Sequence, residues 1–208
     1  MTTYILYTNP MSRGQIARWA LHEAGADYEQ RLVEWGPPLP ELLALNSMGK
    51  VPTLVHHHNG HDHVVTEAAA ICHYLAEMSA PDLLPRPEEK ADYFRYLFFA
   101  AGPMEEAITA HHMGWQADGP QKEGMLGFGS YERAVNAFDA MLDGRDYVCG
   151  GRFTMADVYV GAQVDWGLQF KTLPERPSFT AYAERLRERE AYEAAKAIDN
   201  RLIAEAQK

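Results

Sequence analysis

Cysteine is scarce in this 208-residue chain, which contains only Cys72 and Cys149. The two residues form neither a C-x-x-C pair nor part of a metal-ligand cluster. The sequence therefore excludes a disulfide scaffold, argues against dithiol chemistry of the protein's own, and favours a reducing compartment. Any thiol chemistry would have to use a bound thiol.

Basic charge and long apolar runs are lacking too. The chain has 29 acidic against 19 basic residues, a formal net charge of −10, so its overall field would not gather a phosphate backbone or an anionic membrane. No apolar run approaches the roughly 20 residues of a membrane-spanning helix, and the N-terminal MTTYILYTNP has neither the charged start nor the cleavage site of a signal peptide. We therefore expect a cytoplasmic protein that binds neither nucleic acid nor membranes.

The N-terminal part of the chain alternates strand-like and helix-like segments. Its hydrophobic pattern predicts strands at 4–7, 28–33, 51–56 and 63–65, and helices at 16–24, 40–45 and from 66 or 67 onward. Asn9-Pro10 ends the first strand, Gly25 closes the first helix, and Asn59-Gly60 forms a hairpin turn. The order β-α-β-α-β-β-α predicts a right-handed βαβ unit followed by a hairpin and a helix.

A proline-rich segment separates this region from the rest of the chain. Residues 79–87, SAPDLLPRP, contain three prolines and predict an interdomain linker. Every periodic stretch beyond it has helical spacing, so we predict one domain at 1–78 and an all-helical domain at 88–208. Within the latter, 155–168 is apolar nearly all round and predicts a buried central helix, which a capping box of Thr154 and Asp157 begins.

Four motifs spread along the chain resemble those of the cytosolic glutathione transferase superfamily. They are YTNPMSRGQIARWALHEAG, NSMGKVPTLV, VTEAAAICHYLAE and GGRFTMADVYVG. With the predicted order of elements, the resemblance covers essentially the whole chain. It implies an α/β thioredoxin-like N-terminal domain followed by an all-helical bundle, glutathione as co-substrate, and a two-fold homodimer with the third and fourth helices at its interface. The implied activity is attack of the glutathione thiol on a small hydrophobic electrophile.

Ser12 is the candidate catalytic residue. It follows the first strand and precedes the first helix, where a hydroxyl and free backbone N–H groups can point at the same place. A thiol with a pKa of about 8.5 is mostly protonated at neutral pH, whereas the thiolate is the nucleophile. The resemblance implies that Ser12 stabilises the glutathione thiolate, as in the serine-type members. Taken alone, a serine in this position is more commonly a helix N-cap, and the two roles can compete for one oxygen.

The resemblance assigns glutathione binding to two further segments. A cis bond between Val51 and Pro52 would turn the Val51 backbone toward the cysteinyl part of the peptide, and Lys50 would meet its glycyl carboxylate. At the start of the third helix, Glu67 and the Ala68 N–H would hold the γ-glutamyl ammonium and carboxylate. Many family members have Glu-Ser here, so the alanine gives up one hydrogen bond worth about 1 kcal/mol. Taken alone, Lys50 is equally explained as a solvated surface residue. Glu67 is explained as an acidic residue that interacts favourably with the helix dipole.

The second substrate is expected where the helical domain faces Ser12. Met104, Ile108 and His112 recur at four-residue spacing on one helix, and Met11 precedes the serine. Ordinary core packing explains Met104 and Ile108 equally well. His112 is the better pocket candidate, because a buried imidazole without a partner is costly.

A histidine-rich stretch at 56–63, HHHNGHDH, raises the question of a metal, since imidazoles two residues apart share a strand face. We predict no metal site here, because the stretch should lie on a hairpin tip open to water and without a supporting second shell. Adventitious metal binding stays open.

These features together predict a glutathione transferase and leave two alternatives. One is a glutathione-dependent peroxidase or disulfide reductase, in which the bound glutathione would supply the sulfur. The other is a glutathione-binding protein of the same fold without turnover. The combined presence of Ser12, Val51-Pro52 and Glu67 argues against this last alternative.

Overall fold

The computed structural model describes residues 3–207, which divide by contacts into two units. The first unit runs to Leu84 and resumes at Glu188, and the second is Pro85–Arg187. The boundary at Leu84 falls within the segment that the sequence predicts as a linker, which contains a 3₁₀ turn at Pro81–Leu83. The prediction placed everything from residue 88 in one helical domain, whereas the residues from Glu188 pack with the first unit.

The first unit is built on a four-stranded sheet. Strand β1 (Thr3–Thr8) pairs in parallel with β2 (Tyr28–Leu32) and antiparallel with β3 (Thr53–His58), which pairs antiparallel with β4 (His61–Thr66). The strand order is β2-β1-β3-β4. Helices α1 (Gly14–Glu23), α2 (Pro40–Leu45) and α3 (Ala68–Ser79) complete the predicted β-α-β-α-β-β-α order.

Apolar side chains cover both faces of this sheet. On one face Tyr7 and Val55 pack with Val33 and Leu42. On the other face α1 and α3 pack side by side. Gly25 ends α1 as predicted: it adopts a φ of +58°, and its N–H donates to the carbonyl of His22.

A last helix, α10 (Glu190–Ala206), packs on α1 and so completes the first unit. Its Asp199 accepts a hydrogen bond from Arg18 of α1 at 3.0 Å, with both residues fully buried. At the end of α1, Glu23 pairs with Arg189 at 2.6 Å. Periodicity reports which face of a helix is apolar but not which distant helix its buried charges will meet, so the sequence placed this helix with the other helices of the C-terminal domain.

The second unit contains helices only. They are α4 (Lys90–Phe99), α5 (Glu105–His112), α6 (Pro120–Met125), α7 (Tyr131–Leu142), α8 (Met155–Gln169) and α9 (Pro177–Arg187). A π-helical turn, Ala100–Met104, joins α4 to α5 around Pro103, which has no N–H to donate to a regular helix. Helix α8 is buried on all sides over most of its length, as predicted. None of the helices between residues 3 and 207 is long and apolar enough to cross a membrane.

The predicted capping box at the start of α8 is present and extends further than the sequence indicated. The Asp157 carboxylate accepts from the Thr154 N–H at 2.7 Å, from the Val148 N–H at 2.8 Å and from the Tyr182 hydroxyl at 2.7 Å. Burial raises the pKa of Asp157 to about 6, although these hydrogen bonds favour its ionised form. One carboxyl group therefore holds the start of α8, the preceding loop and α9 together.

Candidate functional site

Three loops that contain predicted site residues meet at one end of the sheet. The strand register aligns Tyr7 with Thr53 and Thr53 with Thr66 in a single row. Beyond this row lie the turn after β1, the segment that enters β3 and the start of α3. The structure therefore brings Ser12, the segment 50–52 and the segment 67–68 to the same edge of the first unit.

The turn that holds Ser12 is organised by Asn9. The Asn9 side chain donates to the carbonyl of Val33 at 2.8 Å, at the end of β2, and accepts from the Met11 N–H at 2.8 Å. The Asn9 carbonyl accepts both the N–H of Ser12 at 3.1 Å and its hydroxyl at 2.7 Å. These bonds fix the turn from inside, because Asn9 and Ser12 are both buried.

The Ser12 hydroxyl also contacts the start of α1. Its Oγ accepts from the N–H of Gly14, the first residue of the helix, at 3.0 Å. Arg13 occupies the N-cap position itself, so Ser12 satisfies a free donor of the helix start from one residue further out than the predicted cap. A Cβ atom at Gly14 would lie 1.9 Å from Thr8 Oγ1, so only glycine allows α1 to begin this close to β1. The start of α1 and the serine oxygen are thus held together at the end of β1.

The segment before β3 has the backbone arrangement that was predicted. The Val51-Pro52 peptide is cis. The backbone of Val51 makes no hydrogen bond to another described residue. Lys50 is exposed, and its carbonyl accepts from the Asn46 side chain at 3.1 Å and from the Thr53 hydroxyl at 2.9 Å. The side chain of Asn46 therefore shapes the approach to the cis peptide.

Glu67 lies immediately before α3 in a strained conformation. Its φ of +64° and ψ of +115° are rare for a residue with a side chain and cost about 1–3 kcal/mol. Its carbonyl accepts from the Ile71 N–H at 2.9 Å, so the helix continues from it. Glu67 is exposed, whereas Ala68, whose N–H is among the free donors of the helix start, is buried. Strained residues cluster at ligand-binding positions, which makes this segment a strong candidate.

The protein's own cysteines are poor sources of a thiolate. Burial raises the pKa of the Cys72 thiol far above its usual range, and burial likewise raises the pKa of Cys149 to about 11. Both thiols are free. Any thiolate chemistry at neutral pH would therefore use a thiol from outside the chain.

The predicted pocket residues differ in exposure. Met11, in the first unit, is 53% exposed. In the second unit Met104 is completely buried, as core packing requires, while Ile108 is half-buried and His112 is exposed. Of the three helical residues, the latter two have surface available to a ligand.

The histidine-rich stretch is less exposed than predicted. His56 has no exposed surface, so the expectation that the whole stretch lies on an open tip is wrong for this residue. It faces the interior because it continues the alternation of Leu54 on β3, and its register partner on β1 is the buried Tyr4. Within residues 3–207, no three His, Cys, Asp or Glu side chains already surround a position suited to a metal ion.

The sequence did not reveal how two asparagines shape these loops. Asn9 was predicted to end the first strand together with Pro10 and was a reserve candidate for thiolate stabilisation, and Asn46 was not singled out. In both cases the side-chain oxygen accepts an N–H two residues further on, from Met11 and from Met48. In each case the available signal was an asparagine at the start of a turn, where its side-chain oxygen can accept the N–H two residues further on.

The fold and the site define a class of protein: one unit has a thioredoxin-like sheet whose loops bring the candidate site residues to one edge, and the other unit is helical. Residues 2–77 match the family model "Glutathione S-transferase, N-terminal domain", and residues 94–190 match "Glutathione S-transferase, C-terminal domain". The chain belongs to the glutathione S-transferase family.

Individual relatives agree with this assignment. Glutathione S-transferase 1 of Schizosaccharomyces pombe is 33% identical over 150 residues, which are 67% of this chain and 64% of that protein. The chain thus spans somewhat less than two thirds of that relative's length. Glutathione S-transferase D7 of Drosophila melanogaster is 30% identical over 173 residues, 76% of this chain and 72% of the relative.

Solved structures give the same picture. A theta-class glutathione S-transferase from Xanthomonas axonopodis pv. citri, with glutathione bound, is 28% identical with a TM-score of 0.71, covering 94% of this chain and 97% of its own. A sphingomonad glutathione S-transferase complexed with glutathione is 25% identical with a TM-score of 0.74, covering 94% and 98%.

Proposed function

We propose that the protein is a glutathione transferase that activates the thiol of bound glutathione for attack on a small hydrophobic electrophile. The observation that carries the proposal is the meeting of Ser12, the Val51-Pro52 peptide and the start of α3 at one end of the sheet. A tripeptide thiol needs recognition at its two ends and at its centre, and these three segments offer suitable groups for each.

Each segment takes one part of glutathione. The unpaired N–H and C=O of Val51 pair with the cysteinyl backbone like a short added strand. The exposed carboxylate of Glu67 holds the γ-glutamyl ammonium, and the Ala68 N–H with the helix start holds its carboxylate. Lys50 meets the glycyl carboxylate. Glutathione is thus a co-substrate.

Ser12 stabilises the thiolate. In the structure its proton is donated to the Asn9 carbonyl, so on glutathione binding the hydroxyl rotates to donate to sulfur. The Gly14 N–H still donates to Oγ and makes the hydroxyl a better donor. A hydrogen bond to a charged group contributes about 1.5–3 kcal/mol, enough to lower the thiol pKa by about 1–2 units.

The electrophile is proposed to bind on apolar surface. The candidate residues with exposed or partly exposed side chains are Met11, Ile108 and His112, whereas Met104 is buried. The weakly acidic cysteines, of which Cys72 is buried and Cys149 is partly buried, fit this scheme, because they would not compete with the bound thiol as nucleophiles. Free cysteines also fit a cytoplasmic location.

The protein is proposed to act as a homodimer. On α4, Phe98 is 65% exposed and Phe94 is 37% exposed, and their rings stack with centroids 6.2 Å apart. A pair of exposed aromatic side chains on one helix is typical of an interface core, because aromatic residues are enriched there. A two-fold contact would bury the same pair from each subunit.

Binding to immobilised glutathione, followed by assays with an aryl halide, a peroxide and a mixed disulfide, tests the function. We expect retention on the resin, elution by free glutathione and turnover of the aryl halide. Turnover of only the peroxide or the disulfide would replace the proposal by the reductase alternative. Retention without any turnover would indicate a binding protein, and failure to bind would contradict the proposal as a whole.

A further inference from the structure

His56, in the histidine-rich stretch, is buried, and only one of its two ring nitrogens has a hydrogen-bond partner. The Nδ1 of His56 lies 2.7 Å from the hydroxyl of Tyr74 on α3, and its ring stacks on Tyr4 with centroids 4.2 Å apart. Its Nε2 is buried and has no hydrogen-bond partner. Buried polar atoms nearly always have a partner, so an unpaired ring nitrogen requires an explanation, and an ion is one of the few available.

The surroundings of His56 prepare this nitrogen to act as a ligand. A metal-binding histidine typically uses its second ring nitrogen in a hydrogen bond that fixes the ring, and Tyr74 makes that bond here. Burial lowers the pKa of His56, and the neighbouring His58 and His63 lower it further. The sequence analysis rejected a metal partly because it expected no such second shell.

Two more imidazoles lie beside His56 on the same face of the sheet. His63 is its register partner on β4, and His58 follows two residues later on β3. The ring centroids of His56 and His58 are 5.1 Å apart, those of His56 and His63 are 6.3 Å apart, and those of His58 and His63 are 6.5 Å apart. With metal–nitrogen bonds of about 2.0–2.1 Å, two imidazoles on one tetrahedral ion have centroids about 5 Å apart. The centroid distance between His56 and His58 already has this value. The ring of His63 must move about 1 Å closer to the other two rings to reach it.

We propose that His56, His58 and His63 form a binding site for a borderline divalent cation of the Zn²⁺ type. The side chains of residues 3–207 do not yet converge in this way, so the site forms when His58 and His63 rotate toward the fixed His56. Such rotation is feasible, because His58 is only half-buried and His63 is exposed. The register places His61 opposite His58 on the same face, where it or a water molecule can complete four-coordination. Imidazole ligands favour Zn²⁺, Cu²⁺ and Ni²⁺ over Mg²⁺ and Ca²⁺.

The same hairpin contains a matched control. His57 pairs in register with Asp62 on the opposite face of the sheet, and its Nδ1 contacts the Asp62 carboxylate. A histidine-rich stretch that binds metal without a defined site would use His57 as readily as His63. The proposed site uses only the face of His56.

Calorimetric titration of the tag-free chain with Zn²⁺, in the absence of glutathione, tests the proposal. We expect one ion per chain and a higher melting temperature with Zn²⁺ than with Mg²⁺. His63→Gln and His58→Gln should each weaken binding at least tenfold, while His57→Gln should change it less than twofold. Tyr74→Phe, which removes only the supporting hydroxyl, should weaken binding roughly 10-fold or more.

A direct spectroscopic readout keeps the test independent of folding defects. The ¹⁵N shift of His56 Nε2 should move on Zn²⁺ binding, because this nitrogen becomes a metal ligand in the proposed site. Equal weakening by His57→Gln and His63→Gln would show adventitious binding only and overturn the proposal. An unchanged His56 shift at saturating Zn²⁺, or no saturable binding, would do the same.

Discussion

The oxygen of Ser12 already has two partners in the turn: its proton goes to the Asn9 carbonyl, and it accepts from the Gly14 N–H. Donation to a thiolate would therefore exchange a hydrogen bond to a neutral carbonyl for one to a charged sulfur. Charge-assisted hydrogen bonds are about twice as strong, so the exchange is favourable. The cap to Gly14 can persist throughout, which removes the competition that the sequence alone suggested.

Ser12→Ala should raise the pKa of bound glutathione by about one unit or more and lower turnover roughly 10- to 100-fold at neutral pH, with little change in affinity. Thiolate absorbance against pH measures the first effect. Ser130→Ala is the control, because Ser130 also caps a helix, accepting from the Arg133 N–H, but has no proposed catalytic role. Both variants should lose about 0.5–2 kcal/mol of stability. If bound glutathione has the same thiol pKa in the Ser12→Ala and Ser130→Ala variants, Ser12 only stabilises the helix start.

Two substitutions of Glu67 can separate the contribution of its carboxylate to glutathione binding from the cost of its backbone strain. Glu67→Ala and Glu67→Gly both remove the carboxylate and should weaken glutathione binding to a similar degree, without changing the pKa of the thiol. Only glycine accepts a φ of +64° without strain, so Glu67→Gly should have the higher melting temperature. Calorimetry with glutathione and thermal unfolding measure the two effects. Unchanged affinity in both variants would leave Glu67 as a residue that merely favours the helix dipole.

At the scale of elements, the Asp157 network should control how α8 is held. Asp157→Asn puts an NH₂ group against at least one of the N–H donors of Val148 and Thr154, and leaves it buried and unpaired. We expect a loss of about 1–3 kcal/mol at pH 7, measured by urea unfolding. Asp143→Asn, at an exposed position after α7, is the control and should have almost no effect.

The same carboxyl group predicts a pH dependence. Its folded pKa of about 6 lies above the unfolded value of about 3.9, so the native state binds more protons between these values. The stability that this group contributes is fully present below about pH 4 and is lost as the pH rises through 6, by up to about 3 kcal/mol. Urea unfolding from pH 4 to 7 should show this decrease in the wild type and not in Asp157→Asn. If the free energy of unfolding falls equally in the wild type and in Asp157→Asn, a titratable group other than Asp157 causes the pH dependence.

The sequence predicted elements well where one face of a segment is apolar and its ends carry turn residues. Strands β1 and β2, helix α2 and the Gly25 cap were all found within about a residue or two. Strand β3 begins at Thr53, two residues later than expected, because Val51 and Pro52 belong to the loop. The prediction failed for His56, since histidine was treated as a surface residue although strand alternation turns it inward.

The site was predictable only in part. The motifs that contain Ser12, Val51-Pro52 and Glu67 predicted the three loops of the candidate site. Each motif has a local signal in the sequence: a serine before a helix, a proline at the start of a strand, or an acidic residue at the start of a helix. The strain at Glu67 and the framework of Asn9 and Asn46 were not predictable, since they depend on backbone angles and on contacts to β2 and β3.

At the scale of the whole molecule, the exposed aromatic pair on α4 predicts how the chain associates. Phe98→Glu should convert the proposed dimer to a monomer, because it places a charge in an apolar two-fold contact. Phe170→Glu is the control, since Phe170 is 62% exposed but lies just after α8. Light scattering after size exclusion gives the mass directly. A monomeric wild type, or a Phe98→Glu variant that remains dimeric, would contradict the proposed interface.

The position of α10 determines when the first unit can be completed during synthesis. The ribosome makes α1 early, but the helix that covers it, with the partner of its buried guanidinium, is translated only after the entire Pro85–Arg187 segment. Until then Arg18 lacks the Asp199 carboxylate that pairs with it in the folded chain, so α1 carries a charge without its buried partner. The helical unit can therefore complete its fold before the first unit does. The first unit begins to leave the ribosome earlier, but it is complete only after α10 has been translated.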